Sequence, residues 1–570
     1  MKQNIKLKQI GIMAVMSFLL LTVMMIGLKK NGTGKIIVDP GNSVIYFSEE
    51  DVLVNGWDSH GITYFFIPSY VCFKKLSYDE SKLKIFNVNG ELLEYPVINE
   101  VSEVLVENGD GTDTPCKVGF FHSSDVYTIE LGLKGDIGDI ELGQYSPAAM
   151  KLISPGGKVS RLNETVQIKG RGNTTWEQCL KKSYTLKLSE SAALCGMEPA
   201  DKWCLLANEM DSTRILNKMI FDIAGEIGLD YSPESVWVDL YSNGFYEGQY
   251  LLTRKPDIDD MPAADALYEY NIGEADGFRF VTESDMPFFI TTRTEDPEKA
   301  SGVIAEADAV INSDEEVMES DVIDVRSFGL KYLIECIFHN TDRALASQYF
   351  YSRNQVLYAG PCWDYDQSCG AAIPVPSDYS GKIPNRIDMK VKMDPDYEMP
   401  WNVILLRDDS YRDMVREEFI ENREVFYKLV AERIDDYHDH IDSSLKMDYE
   451  RWAATEEDVG TVFRHYSDID NNYRFLKYFI YNRLTSFCEF YEIEWPYDMP
   501  ELNYETSHSV TVILPDGREE VELVQDGATD PIEGISLENK NDLSIRYEYN
   551  HIKYEEALPV YEDVTIVTKQ

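Results

Sequence analysis

Three aspartates on two short polar segments are the residues of this sequence whose type and spacing best suit chemistry. Asp342 lies on the first segment, and Asp364 and Asp366 lie on the second, which begins 22 positions later. Two β-prone runs between them, 348–352 and 355–359, predict a hairpin. Because a hairpin returns the chain to the end of the sheet at which it began, the two segments can approach each other.

Carboxylates in this order suit phosphoryl transfer. One carboxylate orients the attacking hydroxyl, and others hold the Mg²⁺ ions that bridge the phosphates. Mg²⁺ is a hard cation that prefers oxygen ligands. The alternative is two Asp-bearing loops with no shared role, because Asp is also a favoured turn residue.

A glycine-containing segment, KGRGNTTW at 169–176, could contact phosphate. Gly172 would let backbone N–H groups approach anionic oxygens, and Arg171 would add positive charge next to Asn173. The glycine spacing matches neither the Walker nor the Rossmann pattern. A plain β-turn is therefore the alternative.

Lysines that follow this segment could meet the α- and β-phosphates. Alternation over 183–188 places Lys187 on the strand face opposite Leu186. Lys181 and Lys182 carry the same charge just before the strand, and periodicity does not decide between them and Lys187. A solvent-exposed lysine on an outer strand face is the alternative.

A helix-entry segment further along carries Asn208, Asp211 and Arg214. Asn and Asp are preferred at helix N-termini, so capping is the favoured interpretation. Arg214 would lie about one turn inside the helix, where it could pair with a site carboxylate.

The elements that must position these residues predict an α+β fold. A helix is predicted over 328–338, directly before Asp342. We predict a β-rich N-terminal module at 35–145, a central domain at 146–495 and a C-terminal β module at 500–570. Residues 1–34 would form a membrane anchor or a signal.

The anchor prediction rests on an apolar run of 19 residues, 10–28, which is preceded by lysines. About 20 apolar residues are needed to cross a bilayer. No A-x-A cleavage pattern follows, so we expect an uncleaved single-pass transmembrane helix with the bulk of the chain extracytoplasmic, or secretion if the segment is cleaved.

The composition restricts the partners. The chain has 100 acidic and 53 basic side chains, a formal net charge of −47. Such a surface repels nucleic acid and attracts cationic partners, although simple solubility also accounts for it. The nine cysteines form no C-x-x-C pair, and we expect free thiols. The sequence does not predict an oligomeric state.

Five ordered motifs together resemble the CotH kinase-like family of spore-coat proteins. They are KGRGNTTWEQCLKKSYTLKL, WCLLANEMDSTRILNKMIFDIA, VDLYSNGFYEGQYLLT, HNTDRALASQYFYS and PCWDYDQSCG, and the resemblance spans about 146–490. It implies an atypical protein-kinase-like core that binds ATP and Mg²⁺. It also implies phosphorylation of Ser in a secreted, coat or surface protein that is rich in Ser and basic residues.

The resemblance assigns roles to residues of this chain. Asp342 would be the catalytic base, Asp364 and Asp366 would hold metal, and Lys182 or Lys187 would meet the phosphates. Relatives usually show Asn five positions after the loop Asp. This chain has Ser347 followed by Gln348 there, and Gln348 is the candidate for the second metal contact.

Another departure lies after the strand that ends in YLLT. Relatives tend to carry Glu there, and this chain has Arg254. Two other function classes therefore stay open. One is a catalytically degenerate structural or adhesion protein that uses the same fold for binding, and the other is a module stabilised by Ca²⁺ on its acidic loops.

Overall fold

The structure, a computed structural model, describes most of the chain from residue 36 onward. The described residues are 36–39, 43–47, 52–73, 75–78, 83–107, 112–293, 296–313, 317–370, 390–391, 398–452, 469–498, 500, 507–514, 518–525, 544–549, 552–554 and 564–569. No disulfide joins any two of the nine cysteines in this part of the chain.

The N-terminal part consists of two β-sheets packed on a shared apolar core. Strand order is β3-β2-β1-β6 in one sheet and β4-β5-β9-β8-β7 in the other. Ile45 and Phe47 of the first sheet pack against Phe65 and Phe120 of the second. The strands are β1 Ile36–Asp39, β2 Val44–Phe47, β3 Val52–Asn55, β4 Trp57–Ser59, β5 Ile62–Ile67, β6 Leu76–Tyr78, β7 Ile85–Asn87, β8 Glu100–Glu107 and β9 Asp113–His122.

A closed barrel follows, in the order β10-β11-β12-β13-β14-β16-β15, and parallel pairing of β10 with β15 closes it. Alternating residues such as Ile168, Leu186 and Trp203 fill its interior. The strands are β10 Tyr127–Gly132, β11 Ser146–Ile153, β12 Val159–Arg171, β13 Ser183–Ala192, β14 Ala200–Leu206, β15 Ser235–Ser242 and β16 Phe245–Thr253. Helix α1, Thr174–Gln178, connects β12 to β13, and helix α2, Leu216–Glu226, connects β14 to β15.

A five-stranded sheet in the order β18-β19-β17-β20-β21 follows the barrel. Its strands are β17 Ala266–Tyr270, β18 Phe278–Val281, β19 Pro287–Thr292, β20 Gln348–Arg353 and β21 Val356–Ala359. The predicted hairpin is β20–β21, and its two turn residues, Asn354 and Gln355, have φ of 53° and 67°. Positive φ at both positions is typical of a type I′ turn, whose twist matches that of the paired strands.

Helices cover this sheet and enclose the largest core. Asp324 caps α4 by accepting a hydrogen bond from the Ser327 amide, and the predicted helix over 328–338 lies within α4 and its first following residue. The helices are α3 Pro297–Ile311, α4 Val325–Ile337, α5 Pro400–Leu405, α6 Asp409–Lys428, α7 Ile434–Trp452 and α8 Ile469–Phe490, with a π-helical turn at Leu429–Arg433. Short 3₁₀ turns occupy Ile137–Asp139, Ile258–Asp260 and Val317–Glu319.

The C-terminal strands form a separate sheet in the order β23-β22-β26-β24-β25. They are β22 Ser507–Ile513, β23 Glu519–Gln525, β24 Ser544–Tyr549, β25 Ile552–Tyr554 and β26 Val564–Lys569.

The predicted transmembrane helix requires correction. Across the described part of the chain, no helix combines the length and the apolar character that crossing a bilayer requires. The run 10–28, on which that prediction depended, lies outside the described residues. Over the described residues the fold class is α+β with five sheets, and the transmembrane helix of the predicted fold is not supported.

The N-terminal sheets contact both the barrel and helix α7. Phe66 and Phe121 pack against Tyr246 of the barrel and Met447 of α7. At this junction the buried Asp239 carboxylate accepts hydrogen bonds from three hydroxyl groups, those of Ser123, Tyr246 and Ser444. Burial raises the pKa of Asp239 to about 6.

Candidate active site

Asp366 lies at the centre of a group of carboxylates. It is 8% exposed, and burial raises its pKa well above the ordinary value. The charges of Asp364, Asp342 and Asp211 raise that pKa further, whereas Arg171 lowers it. The structure therefore brings Asp342, Asp364 and Arg171 within electrostatic reach of Asp366.

Asp364 is exposed on the segment that follows the hairpin, with φ of 71°. Its Oδ2 accepts a hydrogen bond of 3.1 Å from the Ser347 hydroxyl. Ser347 thus contacts a predicted metal ligand. A hydroxyl oxygen at this place keeps the site rich in oxygen atoms, which Mg²⁺ prefers.

The Asp342 segment is a tight turn at the end of α4. The Leu345 and Ala346 amides donate to the Asp342 carbonyl at 2.8 and 2.9 Å, and the Asp342 amide donates to Asn340 Oδ1 at 3.0 Å. A buried ion pair between Arg343 and Glu398, 2.9 Å apart, fixes the same turn. The hydrogen bonds and this ion pair hold the turn that carries Asp342, whose side chain is partly buried.

Asp211 has the capping role that the sequence indicates. Its Oδ1 accepts from the Thr213 amide and its Oδ2 from the Leu216 amide, the first residue of α2, each at 2.8 Å. These bonds satisfy amides that the start of a helix leaves without partners. The same carboxylate contributes to the negative charge around Asp366.

Two asparagines connect the entry of α2 to the second aspartate segment. Asn217 Nδ2 donates to Asn208 Oδ1 at 3.0 Å, and Asn217 Oδ1 accepts from the Tyr365 amide at 2.8 Å. Tyr365 stands between Asp364 and Asp366, so α2 holds the backbone that carries both carboxylates.

The glycine segment lies at the end of β12. Arg171 places its guanidinium 5.3 Å from the Trp363 ring, which precedes Asp364. A side chain at Gly170 would overlap the Trp176 ring, and one at Gly172, where φ is 95°, would overlap the Thr175 hydroxyl. Both glycines are therefore required for packing and turn geometry. Asn173 is exposed at the N-terminus of α1 and its side chain makes no capping bond.

The three candidate lysines occupy different environments. Lys182 donates to the Trp176 and Cys179 carbonyls at the end of α1. Lys187 lies four residues along β13 from Ser183, the partner of Arg171, or about 13 Å at the usual strand rise. Roles for Lys182 and Lys187 in nucleotide binding stay predictions.

Lys181 is fully buried and bonds to Asp448 of α7 at 2.6 Å. Arg214 bonds to the second oxygen of the same carboxylate at 2.9 Å. Arg214 therefore pairs with Asp448 instead of a site carboxylate. The site of pairing was not visible in the sequence, because Asp448 is 267 positions from Lys181 and 234 from Arg214.

Gln348 begins β20, where it is buried, and its amide lies 3.4 Å from the Ala346 carbonyl. Over the residues that the structure describes, no three His, Cys, Asp or Glu side chains are grouped so as to hold a metal ion. The metal roles of Asp364, Asp366 and Gln348 thus stay predictions. Arg254 lies 3.5 Å from Glu234 and 3.4 Å from Asp260, away from the carboxylates of the site.

Sequence reasoning missed Tyr349 and Glu269. Tyr349 is buried, its hydroxyl donates to Glu269 Oε2 at 2.7 Å, and its pKa is affected by both Asp364 and Arg171. Burial, followed by Glu269, raises that pKa well above its ordinary value. The signal was available in β20, because Tyr349 points to the face opposite its neighbour Gln348.

Comparison with known proteins identifies a family for this chain but no individual relative. No curated protein matches the chain. The family model described as CotH kinase protein matches residues 166–487, which is more than half of the 570 residues and includes every aspartate discussed above from Asp211 to Asp448. The chain belongs to the CotH kinase protein family.

Proposed function

We propose that this protein is an atypical protein kinase that transfers the γ-phosphoryl group of ATP, with Mg²⁺, to a serine of a secreted, coat or surface protein. The proposal rests on the two loops that carry the aspartates: Asp342 and Asp364 both act electrostatically on the buried Asp366, and Ser347, which follows the Asp342 turn, donates to Asp364 at 3.1 Å. Membership of the CotH kinase family supports the kinase-like chemistry.

The donor set fits Mg²⁺. Asp364, Asp366 and the Ser347 hydroxyl present oxygen atoms, and the negative charges around Asp366 disfavour its ionised form. A divalent cation relieves that repulsion, so Asp364 and Asp366 are the residues that would hold it. When bound, the ion would neutralise the negative charge of the phosphate oxygens.

Asp342 would act on the acceptor. It precedes Asp364 and Asp366 in the chain, on the turn that the Arg343–Glu398 ion pair supports. A carboxylate held there can orient a serine hydroxyl and accept its proton. Arg171, which reaches the site from the barrel, would contact the phosphates, and its guanidinium suits them because it is permanently charged and planar.

The acceptor would be basic. The formal charge of −47 favours encounter with a Ser-rich segment that also carries Lys or Arg. This attraction should weaken as salt rises, because screening shortens the reach of surface charges.

The decisive experiment compares Asp342→Asn with Asp276→Asn, an exposed loop aspartate outside the carboxylate group. We expect Asp342→Asn to lower incorporation of labelled γ-phosphate into a basic Ser-rich protein by about 10²-fold or more, the usual scale for a lost general base. Asp276→Asn should leave incorporation unchanged. Equal incorporation by both variants, at matched thermal stability, would contradict the proposed role.

A further inference from the structure

A charged group is buried directly beneath the Asp364–Asp366 segment. It consists of Lys331 and Glu335 of α4 and of Tyr365, with exposures of 4%, 1% and 0%. The Tyr365 hydroxyl donates to Glu335 Oε1 at 2.6 Å and accepts from Lys331 Nζ at 2.8 Å. Lys331 also forms an ion pair with Glu335 and lies 5.3 Å from the Tyr365 ring centre.

Stability alone does not explain this group. Removing two charges from water is costly, and apolar residues of similar size often replace a buried ion pair without loss of stability. The second oxygen of Glu335 is buried, and no hydrogen-bond partner for it occurs in the described part of the chain. An incompletely satisfied buried charge is expensive, so its presence calls for a role in addition to packing.

The position of Tyr365 indicates that role. Its two chain neighbours are the predicted metal ligands, one exposed and one buried. Its hydroxyl is held by α4, and its amide is held by Asn217 of α2 at 2.8 Å. The Tyr365 hydroxyl and amide are therefore held by two different helices, which restrains the backbone between the two carboxylates.

We propose that Lys331 and Glu335 are positioning residues that, by holding the Tyr365 hydroxyl, set the direction of the Asp364 and Asp366 carboxylates toward the metal. The presence of a metal depends on the proposed function above, whereas the restraint on residues 364–366 does not depend on it. The two carboxylates must be held closely, because a displacement of about 1 Å at a reacting centre can lower a rate by roughly 10²-fold.

The test compares Tyr365→Phe with Tyr268→Phe. Tyr268 is a matched control because it is also 0% exposed, and its hydroxyl lies 3.1 Å from both the Ala300 carbonyl and the Ser352 hydroxyl. In metal-free protein, we expect hydrogen exchange at the amides of 364–367 to accelerate by about tenfold or more in Tyr365→Phe, because local opening of that segment becomes easier. Tyr268→Phe should leave exchange there unchanged.

A second variant separates positioning from stability. Lys331→Met, Glu335→Leu and Tyr365→Phe together replace the whole group by apolar side chains, so the melting temperature should be maintained or raised. We still expect faster exchange at 364–367 and a Mg²⁺ concentration for half-maximal thermal shift that is about tenfold higher.

Unchanged exchange at 364–367 in both Tyr365→Phe and the triple variant would overturn the proposal. Absence of any Mg²⁺ response in the unaltered protein would instead contradict the proposed function. The exchange measurement would still decide whether the buried group restrains the segment, since it is made without metal.

Discussion

At the scale of single residues, burial of the Asp366 carboxylate lowers the stability of the folded protein at neutral pH, and the same carboxylate is proposed to hold a metal ion. Its pKa in the folded protein is raised above the ordinary value of 3.8 by burial and by neighbouring carboxylates. A raised pKa means that the folded protein holds this proton more tightly than the unfolded chain. The stabilisation from that proton is full below about pH 3.8 and is lost as pH rises through the folded pKa.

Asp366→Asn should therefore stabilise the metal-free protein at pH 8. The free energy of unfolding should rise, because the substitution removes a carboxylate whose ionised form is disfavoured by burial and by neighbouring charges. Denaturation in the presence of EDTA at pH 5 and pH 8 measures it, and the gain should be smaller at pH 5. The same variant should lose the thermal shift with Mg²⁺, and a variant less stable than the unaltered protein at pH 8 would contradict this account.

Asp364 offers a closely matched comparison with Asp285. Both are exposed, and both have left-handed backbone, with φ of 71° and 64°. Asn tolerates that conformation well, so neither substitution should perturb the backbone.

We expect Asp364→Asn to reduce phosphoryl transfer by about 10²-fold or more, as loss of a metal-holding charge should. Asp285→Asn should retain full transfer. Labelled phosphate incorporation at several Mg²⁺ concentrations measures both variants, and a similar Mg²⁺ dependence for the two would count against Asp364 as a ligand.

The hairpin between the two polar segments was predictable at this scale, because hairpin geometry is local. The environments of Lys182 and Lys187 were not predictable from alternation, which gives a face of a strand but not the neighbours of that face. Alternation along β20 likewise gives the face of Tyr349, whereas its relation to Arg171 depends on how the barrel meets the central sheet.

At the scale of elements, one carboxylate of α7 neutralises two buried cations from elsewhere. Asp448 is 0% exposed and bonds to Lys181 and Arg214. Arg214 in turn donates to the Asn208 and Asp211 carbonyls, at 2.9 and 2.6 Å, at the entry of α2. The helix thus contributes to the shape of the segment behind the site.

Asp448→Asn should be strongly destabilising, by about 3–5 kcal/mol, because it leaves buried charges uncompensated. Asp442 provides a control on the same helix, since it is 39% exposed and pairs with Lys446 on the surface. Asp442→Asn should cost less than about 1 kcal/mol. Chemical denaturation measures the free energy of unfolding of both variants. Equally small decreases in the two variants would show that the buried ion group contributes little to stability.

Apolar periodicity predicted the helix over 328–338, which lies in the region of α4, and two β-prone runs predicted the β20–β21 hairpin. The contacts that these elements make with distant segments were not predictable. The Lys181–Asp448 pair joins residues 267 positions apart, and no local pattern specifies such a contact.

At the scale of the molecule, two adjacent phenylalanines of β5 pack into different hydrophobic cores. Phe65 packs inside the N-terminal module, and Phe66 packs against the barrel and α7. Both are almost fully buried, at 2% and 1% exposed. Alternation along one strand therefore places one residue in the core of the module and the next at its junction.

Each Phe→Ala substitution should cost about 3–5 kcal/mol. We expect Phe66→Ala to separate the unfolding of the N-terminal module from that of the central domain, whereas Phe65→Ala should chiefly lower the stability of the module itself. Calorimetry measures the number and the temperatures of the unfolding transitions, and limited proteolysis shows which unit opens first. A single unchanged transition in Phe66→Ala would show that the junction does not couple the two units.

The sequence predicted a β-rich N-terminal part but gave no indication of this junction. Tyr64, Phe66 and Phe121 read as ordinary strand residues, because alternation does not show which face meets another unit. The membrane helix was included because an apolar run was interpreted from length and composition alone.

The Lys181–Asp448–Arg214 group also has a consequence for biosynthesis. The ribosome completes the barrel long before it synthesises α7, so the nascent barrel lacks Asp448, the carboxylate that bonds to both Lys181 and Arg214. Domains generally fold as units during synthesis, and incomplete ones expose surfaces that chaperones recognise. We therefore expect the barrel to reach its final form only after translation has passed Asp448, and we expect polypeptides that end earlier to be degraded instead of accumulating as stable fragments.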